Sequence, residues 1–529
     1  MFMKNISCFL SLVSCLLFAG CTGQNNQWGN NYGNEPAGSP TELSGGFYGE
    51  YPMPSGGPVK NISVLLPNSS AGESIKSAIE LAVLQKNADD MNINFIELSG
   101  NSVQKSTIIQ SALAMRPDMV IGPLFAEDAQ NIRNAKPFDL PVLSFTSDVA
   151  ALGRGVFTMS LLPIQSVESI VQRMSSQGKK NIVILAPDTL SGQIMANAAI
   201  DSVSIYGARV AGFFYYTPGN MDNMKTTAQK AAMWDARSAA NTRAKEILSD
   251  ILIKKTIAAP ERASVSAQLD TRNKADTLGD VPFDAVLFLS NADDSKTLGS
   301  FLRYFDLAPA KVKFYGTAMW DSDAMFSDFI FTDAEYSSLP AIPPEFSNMF
   351  SEFAGGAPTR MSTQGYDATL LAIAALRSSR GVADFLLAPS GFKGLDGLVR
   401  MQPNGINERA LQIMKLDASG TPKIMVGAAT NFIKPLYKLE AQDSSRPQEI
   451  KIQGGVNPLD YITLPTGLVG QYTAKTYGNT TPTEPAATVP TTDVETIPED
   501  YSEPIIDSDF QPVELDKIDR TMIDETQMR

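Results

Sequence analysis

Short apolar runs alternate with segments of helical period from residue 59 onward, and this order restricts the fold more than any other feature of the chain. NISVLLP (61–67), NINFIEL (92–98), DMVIG (118–122) and LPVLSF (140–145) read as strands, with helix-period segments at 72–88, 104–115 and 126–136 between them. Strand, helix, strand in repetition predicts a parallel, doubly wound sheet. A second series follows: NIVILAP (181–187), a helix at 192–206, ARVAGFFYY (208–216), DAVLFL (284–289), a helix at 293–305 and KVKFYG (311–316). The expected class is therefore α/β, with two doubly wound parallel-sheet lobes. Residues 218–280 carry a helix-favouring run of mixed charge, expected as a helical insertion in the second lobe.

The first 21 residues fix where such a chain works. Lys4 gives a positive start, Ile6 to Gly20 form an apolar stretch too short to span a bilayer, and Ala19 and Gly20 stand before Cys21. This predicts a lipoprotein signal over 1–20 and a mature chain beginning at lipidated Cys21. A rival lipobox, Leu12-Val13-Ser14-Cys15, would shorten the apolar stretch and expose Leu16 to Phe18, so Cys21 is preferred. Thr22, where inner-membrane retention places Asp, predicts sorting to the outer membrane, facing the periplasm. With Cys8 and Cys15 removed in the signal, Cys21 is the one remaining cysteine and no internal disulfide is expected.

Zero histidines in 529 residues removes the commonest general base, triad partner and transition-metal ligand at once. The acidic residues form no acid/base constellation by spacing. A non-enzymatic protein without cofactor or metal is expected. The net charge of −14 is unevenly placed, because residues 440–529 hold 17 Asp/Glu against 6 Lys/Arg. The body is nearly neutral, and with no basic stripe nucleic acid is not an expected partner.

Residues 21–58, rich in Gly, Asn, Pro and Ser, read as a flexible tether, and 439–529, acidic and rich in Pro and Thr, as a disordered tail. YITLPTGLVG (461–470) within that tail reads as a loop. The folded domain is placed at 59–438, with lobe 1 over about 59–160 and 317–396 and lobe 2 over about 161–316 and 397–438.

VIGPLFAEDAQNI (120–132) with LPVLSFTSD (140–148), GKKNIVILAPDTLSGQIM (178–195) and the 283–322, 364–379 and 392–416 segments resemble, in order, the type I periplasmic-binding-protein (leucine-binding-like) fold. Within it, SFTSD, YGTAMWD and GLDGLVRMQPNGINERAL are similar to the penicillin-binding protein activator lipoproteins. That resemblance implies an envelope lipoprotein regulating peptidoglycan synthesis by binding a bifunctional peptidoglycan synthase, a class A penicillin-binding protein. The helical-repeat domain that precedes the lobes in the best-known activators is replaced here by the tether. The alternative is the solute-binding lipoprotein of an ABC importer, taking an amino acid or another small polar ligand.

Hydroxyls and amides at strand ends and helix N-termini are where such a fold holds a solute. The candidates are Asn68, Ser69 and Ser70, then Ser144, Thr146 and Ser147, and in the second lobe Ser191 and Gln193. Ser70 reads equally as a plain helix cap, and Ser144 or Thr146 as satisfying turn amides. Trp320 lines the cleft or packs at the hinge. Amino-acid-binding relatives carry a Ser/Thr-rich loop and a tyrosine where this chain resembles Phe125-Ala126-Glu127-Asp128 and Ser191. Carboxylates there are expected to repel an amino-acid carboxylate, so solute binding ranks second. Tyr366 and Asp367 open a helix read as structural.

Overall fold

The computed structural model describes residues 41–42, 58–254, 257–307, 311–326, 329–419, 421–432 and 443–476. The signal segment with Cys21, nearly all of the tether and the tail past 476 lie outside the described residues. The chain divides into two units, Met1–Leu468 and Val469–Arg529. In the second, the described element is the helix Val469–Thr476.

In the first unit a short strand, β1 (Thr41–Glu42), precedes β2 (Lys60–Leu66), β3 (Met91–Glu97), β4 (Met119–Ile121), β5 (Val142–Ser144) and β6 (Val156–Thr158). Strands β2 to β6 form a five-stranded sheet in the order β3-β2-β4-β5-β6, parallel throughout. Its central residues Ile62, Val64, Ile121 and Leu143 are buried against Ile75 and Ile79 of the helix Ser70–Gln85. The helix Arg360–Arg377 returns from later in the chain to complete this lobe, with Tyr366, Leu370, Leu371, Ala374 and Ala375 all buried.

The second lobe holds β7 (Asn181–Pro187), β8 (Arg209–Tyr216), β9 (Ala285–Phe288), β10 (Lys313–Gly316) and β11 (Glu335–Ser338), parallel to one another. Three helices, Met221–Ala231, Trp234–Ile253 and Ala259–Asn273, run between β8 and β9. Further on come β12 (Phe392–Gly394), β13 (Gly397–Met401), β14 (Asn407–Arg409), β15 (Gln412–Lys415) and β16 (Lys423–Val426). The seven-stranded sheet runs β16-β15-β11-β10-β9-β7-β8, and β1-β12-β13-β14 form a third, four-stranded sheet.

Two lobe boundaries differ from those the sequence predicts. The segment 317–338 stays in the second lobe, because β11 pairs with β10 and its sequence, EYSS, shows no apolar run to betray a strand. Glu335 is buried there. Burial pushes its carboxyl up, but hydrogen bonds from Arg173 (2.7 Å), Lys313 and Gln177 (3.0 Å) outweigh this and hold it below the usual range. Residues 392–409 belong to the third sheet, whose Phe392, Leu395, Val399 and Met401 pack into the first-lobe core, so only β15 and β16 of the 397–438 segment join lobe 2.

The segment 443–468 also departs from the expected disordered tail. It lies along edge strand β8, where Ile450 and Phe213 exchange backbone hydrogen bonds of 2.8 and 2.9 Å. Glu449 accepts from the Tyr215 N–H (3.0 Å), Arg446 stacks 4.2 Å over the Tyr215 ring and pairs with Asp188, and Thr463 and Gln268 hydrogen-bond reciprocally. The acidic, Pro- and Thr-rich composition of 439–529 as a whole hid a few apolar and edge-pairing residues within 443–468, sufficient to cover part of an exposed strand.

Candidate functional site

Three chain passages join the lobes. Strand β6 ends at Thr158 and the chain enters the second-lobe helix Pro163–Ser176; β11 ends at Ser338 and the chain enters the first-lobe helix Pro344–Ala354; β14 ends at Arg409 and β15 begins at Gln412. The first two leave from the C-terminal ends of parallel strands, so the C-terminal edges of both sheets face one inter-lobe space, where ligands bind in open α/β sheets. The loops after β2, β4 and β5 form one wall, and those after β7, β8, β9 and β10 the other.

The sequence candidates divide into consumed and available groups. Ser69 caps its helix, accepting from Gly72 N–H at 3.1 Å. Ser144 is buried, donates to the Pro123 carbonyl (2.9 Å) and accepts from Thr146 N–H (3.3 Å). The buried Thr146 hydroxyl accepts from Asp148 N–H at 3.1 Å. These three hydroxyls hold the fold. Asn68, Ser70 and Ser147 on the first lobe and Ser191 on the second are exposed, and half-buried Gln193 lies one turn into the helix Leu190–Ile205, whose cap is Thr189. None of these five side chains has a hydrogen bond among the described residues.

Trp320 does not line the cleft. It is fully buried in the second-lobe core, its indole donating to Ser295 Oγ (2.7 Å) and its ring packed 5.0 Å from Phe331 and 5.6 Å from Phe288. A tryptophan after a strand reads the same in sequence whether it turns in or out. Here it turns in because β10 ends at Gly316, where a Cβ would lie 2.1 Å from the indole.

The two carboxylates of Phe125–Asp128 differ in their surroundings: Glu127 is exposed, whereas Asp128 is buried and charge-paired. Glu127 accepts from Ser102 Oγ at 2.5 Å, and buried Asp128 pairs with Lys105 Nζ at 3.2 Å, so both carboxylates are engaged by the neighbouring helix Ser102–Ala114. Phe125 itself is exposed at the first-lobe lip, as are Leu190 and Met319 on the second. The cleft edge thus mixes unengaged hydroxyls and amides with apolar side chains, the general composition of a small-molecule site.

Sequence reasoning missed the charged floor beside the passages. Asp367, read as part of a structural helix, accepts from the backbone N–H groups of Leu395 (2.8 Å) and Asp396 (3.3 Å). Burial, reinforced by the Asp396 charge, pushes its carboxyl up to about 7. Asp396 is buried and paired with Arg360 at 2.9 Å. Arg409, also buried, donates to the Met159 carbonyl of the first passage, and burial lowers its pKa against the opposing pull of Asp396 and Asp367. Arg360 further approaches Asp321 of the second lobe at 3.6 Å. No local spacing links positions 321, 360, 367, 396 and 409, and only the return of the chain between lobes brings them together. Among the described residues no group of three or more His, Cys, Asp or Glu could hold a metal ion.

Comparison with known proteins agrees with this architecture. A structure of a candidate branched-chain amino acid ABC transporter protein from Rhodospirillum rubrum superimposes with a TM-score of 0.53 at 16% identity, covering 69% of this chain and all of that one. An ABC transporter substrate-binding protein from Sphaerobacter thermophilus gives 0.49 at 15% identity, covering 72% and 100%, and a leucine-binding protein from Thermotoga maritima 0.42 at 14%, covering 70% and 98%. At its identity the Rhodospirillum rubrum likeness speaks for the fold alone. No curated protein matches the sequence. The sequence model of the periplasmic binding protein family matches residues 67–422, through both lobes and all three passages, and the chain belongs to that family.

Proposed function

We propose that this protein is a solute-binding lipoprotein of the cell envelope, anchored through Cys21, that closes its two lobes on a small polar or amphipathic ligand for an ABC importer. The observation that carries this reading is that exposed Asn68, Ser70, Ser147 and Ser191, without side-chain hydrogen bonds among the described residues, follow the C-terminal ends of β2, β5 and β7, where exposed Phe125, Leu190 and Met319 likewise follow β4, β7 and β10. Of the two carboxylates that would repel an anionic ligand, buried Asp128 is paired with Lys105. The likeness to a branched-chain amino acid transporter protein makes leucine, isoleucine and valine the first solutes to try. Calorimetric titration of the full chain with these amino acids, then with a broader set of small carboxylates, tests the reading. Saturable one-to-one binding weakened by Ser70→Ala and Ser191→Ala supports it.

A second reading, regulation of a peptidoglycan synthase from the outer membrane, draws on the activator-like strings and on one structural observation. Ser144 and Thr146, which a working cleft of this family would offer to ligand, are spent inside the first lobe. Under this reading the chain binds a class A penicillin-binding protein and changes its glycan-polymerising rate, with no solute involved.

A further inference from the structure

We propose that Arg360 and Asp321 form an inter-lobe clasp that biases the lobes toward closure before any ligand arrives. Each end is fixed in its own lobe. Arg360 is the first residue of the helix Arg360–Arg377, and its guanidinium is anchored by buried Asp396 at 2.9 Å. The capping Thr359 and Ser362 of the same turn meet Ser74 at 3.2 and 2.7 Å, which ties this helix start to the first turn of Ser70–Gln85 at the cleft edge. Asp321 follows the turn after β10 and accepts from Ser338 Oγ (2.8 Å) and Tyr336 Oη (3.3 Å), the residues of β11 just before the chain leaves for the first lobe.

The two charged groups face each other at 3.6 Å, beyond a hydrogen bond yet inside an ion pair, with side chains 29% and 32% exposed. Because each group is fixed in its own lobe, rotation of the lobes changes their separation: closing brings them to hydrogen-bonding distance, and opening parts them, so the attraction differs between the two states. Both side chains are already held by other partners, so little ordering opposes the contact. An exposed pair of this kind shifts a two-state population by about two- to fivefold, and salt weakens it. This goes beyond the solute-binding reading, and its test contains no ligand, so either can fail alone.

The test uses the full chain with Cys8, Cys15 and Cys21 replaced by Ser and spin labels at Val103→Cys and Met221→Cys. Both positions are exposed and start the helices after β3 and β8, the sheet edges far from the passages. Pulsed electron-spin distance measurement should give a longer mean and broader distribution in Asp321→Asn than in the parent. Salt at about 1 M, where the screening length is about 3 Å, should lengthen the parent distance and leave the variant unchanged. Arg360→Lys, which keeps a cation for Asp396 but lacks the second arm, should open the lobes with the melting transition retained. Coincident parent and Asp321→Asn distributions, or an equal response of both to salt, would overturn the clasp.

Discussion

Gly394 and Asp367 are packed so closely that a Cβ added to the glycine would lie 2.3 Å from the Asp367 carboxylate oxygen. The contact lets β12 turn into β13 directly over the helix Arg360–Arg377, with Leu395 and Asp396 donating their N–H groups to the same carboxylate. Gly394→Ala must push the carboxylate off these donors. A loss of about 1–3 kcal/mol is expected, read as a lower denaturant midpoint with an unchanged slope.

The same carboxylate makes stability depend on pH. Its folded value, about 7, exceeds the ordinary value of about 4 because burial and Asp396 disfavour the charge. The folded protein therefore binds this proton more tightly than the unfolded chain. The contribution is fully present below about pH 4 and is lost as pH rises through about 7. Buried Arg409 and the N–H groups of Leu395 and Asp396 pull the value back down without cancelling the rise. Asp367→Asn should lower the melting temperature more at pH 5 than at pH 8, and a pH-independent difference would contradict the raised value.

Trp320 supplies core packing and no ligand contact. Trp320→Ala should cost about 3–5 kcal/mol, read by denaturant unfolding, while Trp320→Phe should cost less and leave Ser295 without its indole donor. Neither change should alter solute affinity measured under conditions where the variant is folded.

The alternating strand pattern made the parallel sheets legible, because buried parallel strands must be apolar on both faces and NISVLLP, NIVILAP and DAVLFL meet that demand. Strand β11 escaped because Glu335, Ser337 and Ser338 are buried through specific partners and not through apolarity. At the site, the loops after β2, β5 and β7 could be found from strand ends and caps. Which hydroxyls remain free could not, since Ser144 and Ser147 differ in sequence by nothing that sets their partners. The charged floor was invisible for a different reason: its members come from distant segments.

The segment 443–468 should behave as part of the folded body. Limited proteolysis is expected to leave a fragment that extends past residue 460, and truncation after residue 442 should lower the melting temperature and promote self-association through uncovered β8. Arg446→Ala alone should cost no more than about 1 kcal/mol, since its pair with Asp188 is exposed. Cleavage near residue 440 with an unchanged melting temperature would contradict the packing of Ile450 and Glu449 on β8.

The central claim is that the cleft between the lobes holds a small solute. Native mass spectrometry of the full chain after incubation with a small-molecule extract, followed by removal of unbound material, measures this directly. The account predicts one added small molecule per chain, reduced at least severalfold in a Ser70→Ala, Ser191→Ala double variant. A protein that retains no small molecule, yet binds a purified class A penicillin-binding protein and raises its glycan-polymerising rate, would contradict it.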